Sequence, residues 1–500
     1  LFFLMIRRPP RSTLFPYTTL FRSPITEAAL FTTGAIKRFG KVADGNTTSD
    51  YDSEEIKRKV SISTSVIPIE WKDTKINFLD TPGYFDFAGE VASAISVADE
   101  ALIVVSAKSG VEVGTEKAYE YAKEEGIPRL FFINQMDDEN ADFERVLGQL
   151  TDKFGSGIVA LQIPFVDEAK NGKGFINVIT KEATLLVGGK LEKCDIPADL
   201  VDEVEELRAN LVETAAGGTE ELMEKYFEEG DLTIEEIYKG LEAGIMENGV
   251  APVVCGAAAS GYGIEVLLNT IKNFLPPSVK ARPDFAYTVP GSDEVVDAKC
   301  DPDGKFKAFV FKTISDPYVG RLNIFKVLSG TMKKDGTYYN PAKDCMEKAA
   351  HIYVLRGKEQ IEVDELCAGD IGALSKLANT FTQDTLCDKA ETVLITPMEL
   401  PESVHYMAIV PKGKGDEDKI SNALNKIKEE DLTVKTEVNP ETKQTLVYGL
   451  GEQHLDVLVN KLKNKYKIEV ELIKPIIPYR ETIKGKAEVR GKYKNLSGGH

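Results

Sequence analysis

The sequence predicts a multidomain chain: an α/β domain on a parallel sheet with an inserted subdomain, an antiparallel β-barrel, and a ferredoxin-like α+β domain. Three observations predict it. Between Trp71 and Gly155, short apolar runs alternate with helical spacing, the mark of βαβ units and a parallel sheet. From about residue 284, short strands follow one another between turn residues, as in a small barrel. After Pro401 the element order becomes βαββαβ, which is ferredoxin-like. A chain of 500 residues has room for roughly three domains.

The elements follow in order. "KINFLD" is a short strand, "FAGEVASAISVAD" a helix, "EALIVVSA" a buried strand, "GTEKAYEYAKEEG" a helix, "RLFFIN" a buried strand, and "NADFERVLGQLTDKFG" a helix ending at Gly155. In a doubly wound domain the ligand site lies at the C-terminal ends of the strands. Residues from about 162 to 250 break the alternation. "FINVITKEATLLVGG" reads as strands, and the stretch from Ala198 to Gly230 is acidic and helical. "APVVCGAAA" then resumes a buried strand and "GIEVLLNTIKNFLPPS" a helix stopped by Pro276-Pro277. The predicted units are a first domain over 24–280 with its insertion, a barrel over 284–395, a ferredoxin-like unit over 402–475, and the start of a further domain over 479–500.

The net charge is −19, which argues against nonspecific binding of DNA or RNA through a broad basic face. Six cysteines (Cys194, Cys255, Cys300, Cys345, Cys367, Cys387) are scattered without a CxxC pair. This favours reduced thiols in a cytoplasm over a disulfide frame or zinc site. No apolar run reaches the ~18 residues that would span a bilayer, so no membrane is expected.

The segment Met5–Ser23, "MIRRPPRSTLFPYTTLFRS", carries four arginines and no acid. A secretory signal places its charge before its apolar stretch, whereas here the arginines follow "LFFLMI". Three prolines break the amphipathic helix of a transit peptide. Read back into codons, the nineteen residues match a common sequencing-adapter oligonucleotide in one frame. Residues 1–23 are therefore expected to be non-native sequence, left out of the fold reasoning, and either poorly packed or improvising a strand and loop.

Three strand ends carry candidate chemistry. "DTPG", Asp80–Gly83, follows "INFL"; an Asp there can hold Mg²⁺ through a water, and Gly83 lets a backbone N–H approach a phosphate. A plain turn with Pro at its second position reads equally well. "NQMD", Asn134–Asp137, follows "RLFFI". The Asp137 carboxylate can accept two N–H bonds from a guanine edge, which adenine cannot offer; a helix N-cap is the alternative. "CGAAA", Cys255–Ala259, offers small residues and an accessible backbone N–H after a third strand.

In this order, each at a strand C-terminus, the motifs resemble the translation-factor class of P-loop GTPase-like proteins. They most closely resemble elongation factor G and its diverged second-type paralogues. The likeness runs from about Glu27 to the end and includes "SDYDSEEIKRKVSISTS", "DTPGYFDFAGEV", "CGAAASGYG", "FKTISDPYVGRLNIFKVLSG" and "YGLGEQHLDVLVNKL". It implies GTP and Mg²⁺ as cofactors, the ribosome as partner, and a monomer that promotes translocation by GTP hydrolysis. By the resemblance, Ser61 and Asp80 serve the Mg²⁺, and the Gly83 N–H meets the γ-phosphate. Asn134, Gln135 and Asp137 would hold guanine, with Ala257 and the Ala258 N–H near its O6. Tyr84 stands where most such GTPases have the His that orients the attacking water. A phenol offers no imidazole chemistry near neutral pH, so altered hydrolysis is expected. Gln135 replaces the usual Lys. The four histidines (His351, His405, His454, His500) lie far from these motifs in sequence and are read as structural or surface groups.

One motif is missing. The chain contains no GxxxxGK[ST] phosphate loop, whose N–H groups and Lys would cradle the phosphates. Its Lys-Ser/Thr pair would fall at Arg22-Ser23, but the preceding "TTLF" has no glycine, and the match is taken as accidental. The resemblance further implies two more domains after "PYRETI", with "VRGKYKNLSGGH" inside the first of them. Alternatives are a P-loop-less pseudo-GTPase that binds the ribosome, and a paralogue of recycling or ribosome protection.

Overall fold

The computed structural model describes residues 11–15, 23–167, 172–187, 190–281, 285–292, 294–316, 320–413 and 417–492. The first domain contains strands β1 (Arg11–Phe15), β2 (Ser65–Trp71), β3 (Thr74–Asp80), β4 (Glu100–Ser106), β5 (Arg129–Asn134) and β6 (Ile158–Ala160). Its helices are α1 (Ser23–Thr32), α2 (Ser53–Arg58), α3 (Ala88–Ile95), α4 (Val113–Glu124) and α5 (Phe143–Phe154). The insertion follows, with β7 (Gln162–Asp167), β8 (Gly172–Asn177), β9 (Glu182–Val187) and β10 (Lys190–Cys194), then α6 (Val201–Ala216), α7 (Glu220–Glu229) and α8 (Ile234–Met246). The chain returns through β11 (Ala251–Cys255) and α9 (Ile264–Phe274).

The main sheet has the order β2-β3-β1-β4-β5-β11-β6. Only β2 runs antiparallel, against β3. Every residue of β3, β4, β5 and β11 is buried, because helices cover both faces of a parallel sheet. The parallel register puts the ends of β3, β4, β5 and β11 on one edge, with Ser106 opposite Asn134 and Cys255 opposite Ile133. All three motifs therefore open at the same edge.

Within the opening stretch, Arg11–Phe15 forms β1 in the middle of the sheet, paired with β3 from Arg11↔Ile76 to Phe15↔Asp80 and with β4 at Thr13↔Glu100. The physical reason is that the slot between β3 and β4 asks mainly for backbone N–H and C=O groups, and "STLF" has β-prone residues to supply them.

The insertion is a four-stranded antiparallel sheet, β10-β9-β8-β7, with the three acidic helices packed beside it. The next domain has an eight-stranded antiparallel sheet around the long pair Lys307–Asp316 and Gly320–Ser329, with a three-stranded sheet beside it. The last described domain has strands His405–Pro411, Lys435–Val438, Thr445–Gly449 and Val470–Ile473, with helices Glu417–Glu430 and Glu452–Asn464. Its strand order, 2-3-1-4 in chain sequence, is ferredoxin-like.

Two buried ion pairs fasten the barrel to the first domain. Lys75 Nζ meets Asp370 Oδ1 at 2.6 Å, and Lys326 Nζ meets Asp99 Oδ1 at 2.5 Å. Lys75 lies at the start of β3 and Asp99 just before β4. These two anchors lie away from the edge where the motifs open, while Lys312 of the barrel also donates to Ser63 Oγ at 2.6 Å and pairs with Glu90.

Candidate nucleotide site

Asp80 closes β3 and is 1% exposed. Ser23 is the first residue of α1, and Ser61 follows α2. Their hydroxyls meet, Oγ to Oγ, at 3.2 Å. The Arg22-Ser23 match, read above as accidental, thus leaves Ser23 beside Ser61. Two hydroxyl oxygens this close, each with lone pairs to spare, suit a hard divalent cation that takes oxygen ligands. Residues 16–22, where the rest of a phosphate loop would fall, lie outside the described residues.

The loop from Gly40 to Thr64 is held by three carboxylates that the sequence reading missed. Glu27, on α1, accepts the Gly40 N–H at 3.0 Å and the Thr48 N–H at 2.8 Å. Glu55 Oε1 accepts the Ile62 and Ser63 N–H groups at 3.0 and 3.1 Å, and Oε2 accepts that of Asp52. Glu90 Oε2 accepts the Thr64 N–H at 2.7 Å. Asp52 and Glu55 form a capping box at the start of α2, and "DSEE" was the available signal. By pinning the two residues after Ser61, Glu55 fixes where the Ser61 hydroxyl sits. Arg58, at the end of α2, donates to Gln453 and pairs with Asp456 on the Glu452–Asn464 helix. The loop therefore also rests on the ferredoxin-like domain.

Gly83 is buried, and Tyr84 after it is 41% exposed at the start of a short 3-10 turn. Phe87 turns inward, its ring edge-on to that of His454 at 6.2 Å. His454 Nδ1 accepts the Leu450 N–H at 3.1 Å, so Nε2 carries the proton toward Asp431 Oδ2 at 2.8 Å. This buried histidine is a packing group of the ferredoxin-like domain.

The other motifs assemble a second cluster. Asn134 Oδ1 accepts the Gln135 N–H at 2.8 Å and the Ala258 N–H at 2.9 Å. Met136 N–H donates to the Gly256 carbonyl at 3.0 Å. "NQMD" and "CGAAA" are thus tied into one unit. Since the Ala258 N–H already donates to Asn134, contact with a guanine O6 would have to share or replace that bond. Gln135 has a left-handed backbone, φ 68°, uncommon for a side chain of its size; its Oε1 accepts from Ser106 Oγ at 2.7 Å. Ala257 and Tyr262 exchange backbone hydrogen bonds at 2.8 and 3.1 Å. Gly263 closes the turn at φ 82°, where an added Cβ would lie 2.5 Å from the Cys255 carbonyl. Asp137 is exposed at the open edge.

Residues 22–277 match the model of the elongation factor Tu GTP binding domain, residues 305–389 that of elongation factor G domain 2, and residues 400–474 that of elongation factor G domain III. The chain belongs to the elongation factor G family. A crystal structure of a Thermus thermophilus protein superposes with a TM-score of 0.85 at 30% identity, over 95% of this chain and 69% of that one. The chain is an elongation factor G-like translational GTPase, and by family its GTP-binding domain implies GTPase activity. The family likewise implies the ribosome and guanine nucleotide as partners. The GTPase-domain match begins at Arg22, where the nineteen-residue opening stretch is about to end. Among the described residues, no helix is long and apolar enough to cross a membrane.

Proposed function

We propose that the parent protein promotes ribosomal translocation by binding and hydrolysing GTP, and that this chain binds the nucleotide poorly. The observation that carries the reading is the joining of "NQMD" to "CGAAA" through Asn134 at the edge where "DTPG" also opens. Asp137 and Asn134 would read guanine, while Gln135 would cover the base without the charge of a Lys. Ser61 and Ser23 would bind Mg²⁺ directly and Asp80 through water; the ion would draw phosphate charge when bound. The Gly83 N–H would contact the terminal phosphate and Tyr84 the attacking water. The weakness is expected on the phosphate side, since the chain lacks the glycine-rich loop and its Lys. We read residues 1–23 as adapter-derived, which the start of the family match at Arg22 supports. The domain limits proposed are 24–280, 284–395 and 402–475, in a cytoplasmic monomer.

Tyr84 and Gln135 favour a second reading, a pseudo-GTPase that serves as a ribosome-binding module. Sequencing the genomic DNA upstream of codon 24 separates the two. A restored loop ending in Gly-Lys-Ser/Thr, with ribosome-stimulated GTP turnover by the restored protein, supports the GTPase. A native start codon near residue 24 supports the module.

A further inference from the structure

The barrel strand Lys307–Asp316 carries a bulge beside α3. Val310 pairs with Phe325 and Lys312 with Ile324, so Phe311 is one residue too many for its partner strand. A bulge re-aims side chains and leaves a residue outside the ladder. Both effects are used here. The Phe311 carbonyl accepts the Ser93 hydroxyl of α3 at 2.5 Å. The Lys312 side chain, 5% exposed, reaches out of the barrel and donates to Ser63 Oγ at 2.6 Å and to Glu90 Oε2.

Glu90 Oε2 is a shared acceptor. It takes the Thr64 N–H at 2.7 Å as well as the Lys312 ammonium, and the Glu90 carbonyl takes the Thr64 hydroxyl at 3.0 Å. The Glu90 side chain is 22% exposed, so without a cation beside it water competes for the carboxylate, and the Thr64 N–H would lose its acceptor. Lysines are rarely this buried unless paired, and the barrel has two other buried pairs to seat it, Lys75–Asp370 and Lys326–Asp99. A second barrel contact meets the earlier limb of the same loop. The Gly357 N–H donates to the Val66 carbonyl at 3.3 Å, and an added Cβ on Gly357 would lie 2.0 Å from the Thr48 carbonyl oxygen.

We propose that Lys312 is a positioning residue of the nucleotide site: from the barrel it holds the Glu90 carboxylate on the Thr64 N–H and holds the Ser63 hydroxyl directly, and so sets where Ser61 sits. The seating of the barrel thereby becomes a determinant of the loop. What this means for Mg²⁺ rests on the reading of Ser61 given above. The holding of residues 63 and 64 does not, and it is measured without nucleotide.

The test is hydrogen exchange of the full chain, followed by mass spectrometry in peptides covering residues 61–65 and the strands β3 and β4. Lys312→Met should speed exchange in residues 61–65 by about tenfold or more, the loss of a charge-assisted hydrogen bond, and leave β3 and β4 unchanged, since local opening need not involve the core strands. Unchanged exchange in residues 61–65 overturns the proposal. An equal rise in β3 and β4 would show a general loss of stability and overturns it too. If Lys312 acts through Glu90, the double change Lys312→Met with Glu90→Ala should exchange no faster in these residues than Glu90→Ala alone; effects that multiply contradict the relay. Should Lys312→Met fail to fold, Glu90→Gln decides. It keeps an acceptor for the Thr64 N–H but drops the charge that Lys312 holds. It should speed exchange in residues 61–65 by about threefold, and an unchanged rate contradicts the proposal.

Discussion

Ser23 Oγ lies 3.2 Å from Ser61 Oγ, although 38 residues separate them in sequence. One hydroxyl begins the first helix and the other ends the loop held by Glu27, Glu55 and Glu90. On the reading proposed above, their meeting would supply two oxygen ligands for Mg²⁺. Ser61→Ala should therefore abolish whatever Mg²⁺ dependence guanine-nucleotide affinity shows, at a folding cost of only about 0.5–1.5 kcal/mol. Ser61→Thr should retain the dependence. Titrations with Mg²⁺ and with EDTA check both variants.

Asn134→Ala removes the acceptor that ties the "NQMD" and "CGAAA" loops together. It leaves the buried Ala258 N–H unpaired, a loss of about 1–3 kcal/mol. Hydrogen exchange should quicken at Ala258 and Gln135 before the central strands are affected. Unchanged exchange at Ala258 would show that another group holds the loop.

Glu55 gives a pH signature. Its carboxyl is raised from its usual 4.5 to about 8, by burial first and the Asp50 charge second, against three N–H groups that favour the anion. A raised folded pKa contributes stability that is complete below the unfolded value and lost as pH rises through the folded one. Unfolding free energy should thus fall between pH 4.5 and about 8 through this group. Glu55→Gln, neutral throughout, should flatten that slope by on the order of 1 kcal/mol or more across the window. Denaturant melts at several pH values decide it.

The buried Lys326–Asp99 pair joins barrel to GTPase domain, with the two side chains 0% and 1% exposed. Removing one partner strands a buried charge. Lys326→Met should destabilise by about 3–5 kcal/mol, and the double change Lys326→Met with Asp99→Leu should recover much of it. Thermal unfolding of both variants measures the difference.

Much of this architecture was legible because it is local. Apolar runs marked β3, β4, β5 and β11, and polar or small residues at or just past their ends marked Asp80, Asn134 and Ala258 as strand-end groups. Glu55 was half legible, since "DSEE" announces a capping box but not that the same carboxylate reaches Ile62 and Ser63. Lys75–Asp370 was not legible at all, because 295 residues separate partners that only the docking of two domains brings together. The pairing of strand β1 follows another logic: its place is set by backbone pairing with β3 and β4, to which the origin of its residues is indifferent.

The central claim is that the guanine side is assembled while the phosphate side lacks its loop. Titration of the full chain with a fluorescent guanine nucleotide, with and without Mg²⁺, tests it most directly. Little binding is expected, at best weak. Tight, Mg²⁺-dependent binding would contradict it and would mean that residues 1–23 furnish a working phosphate site.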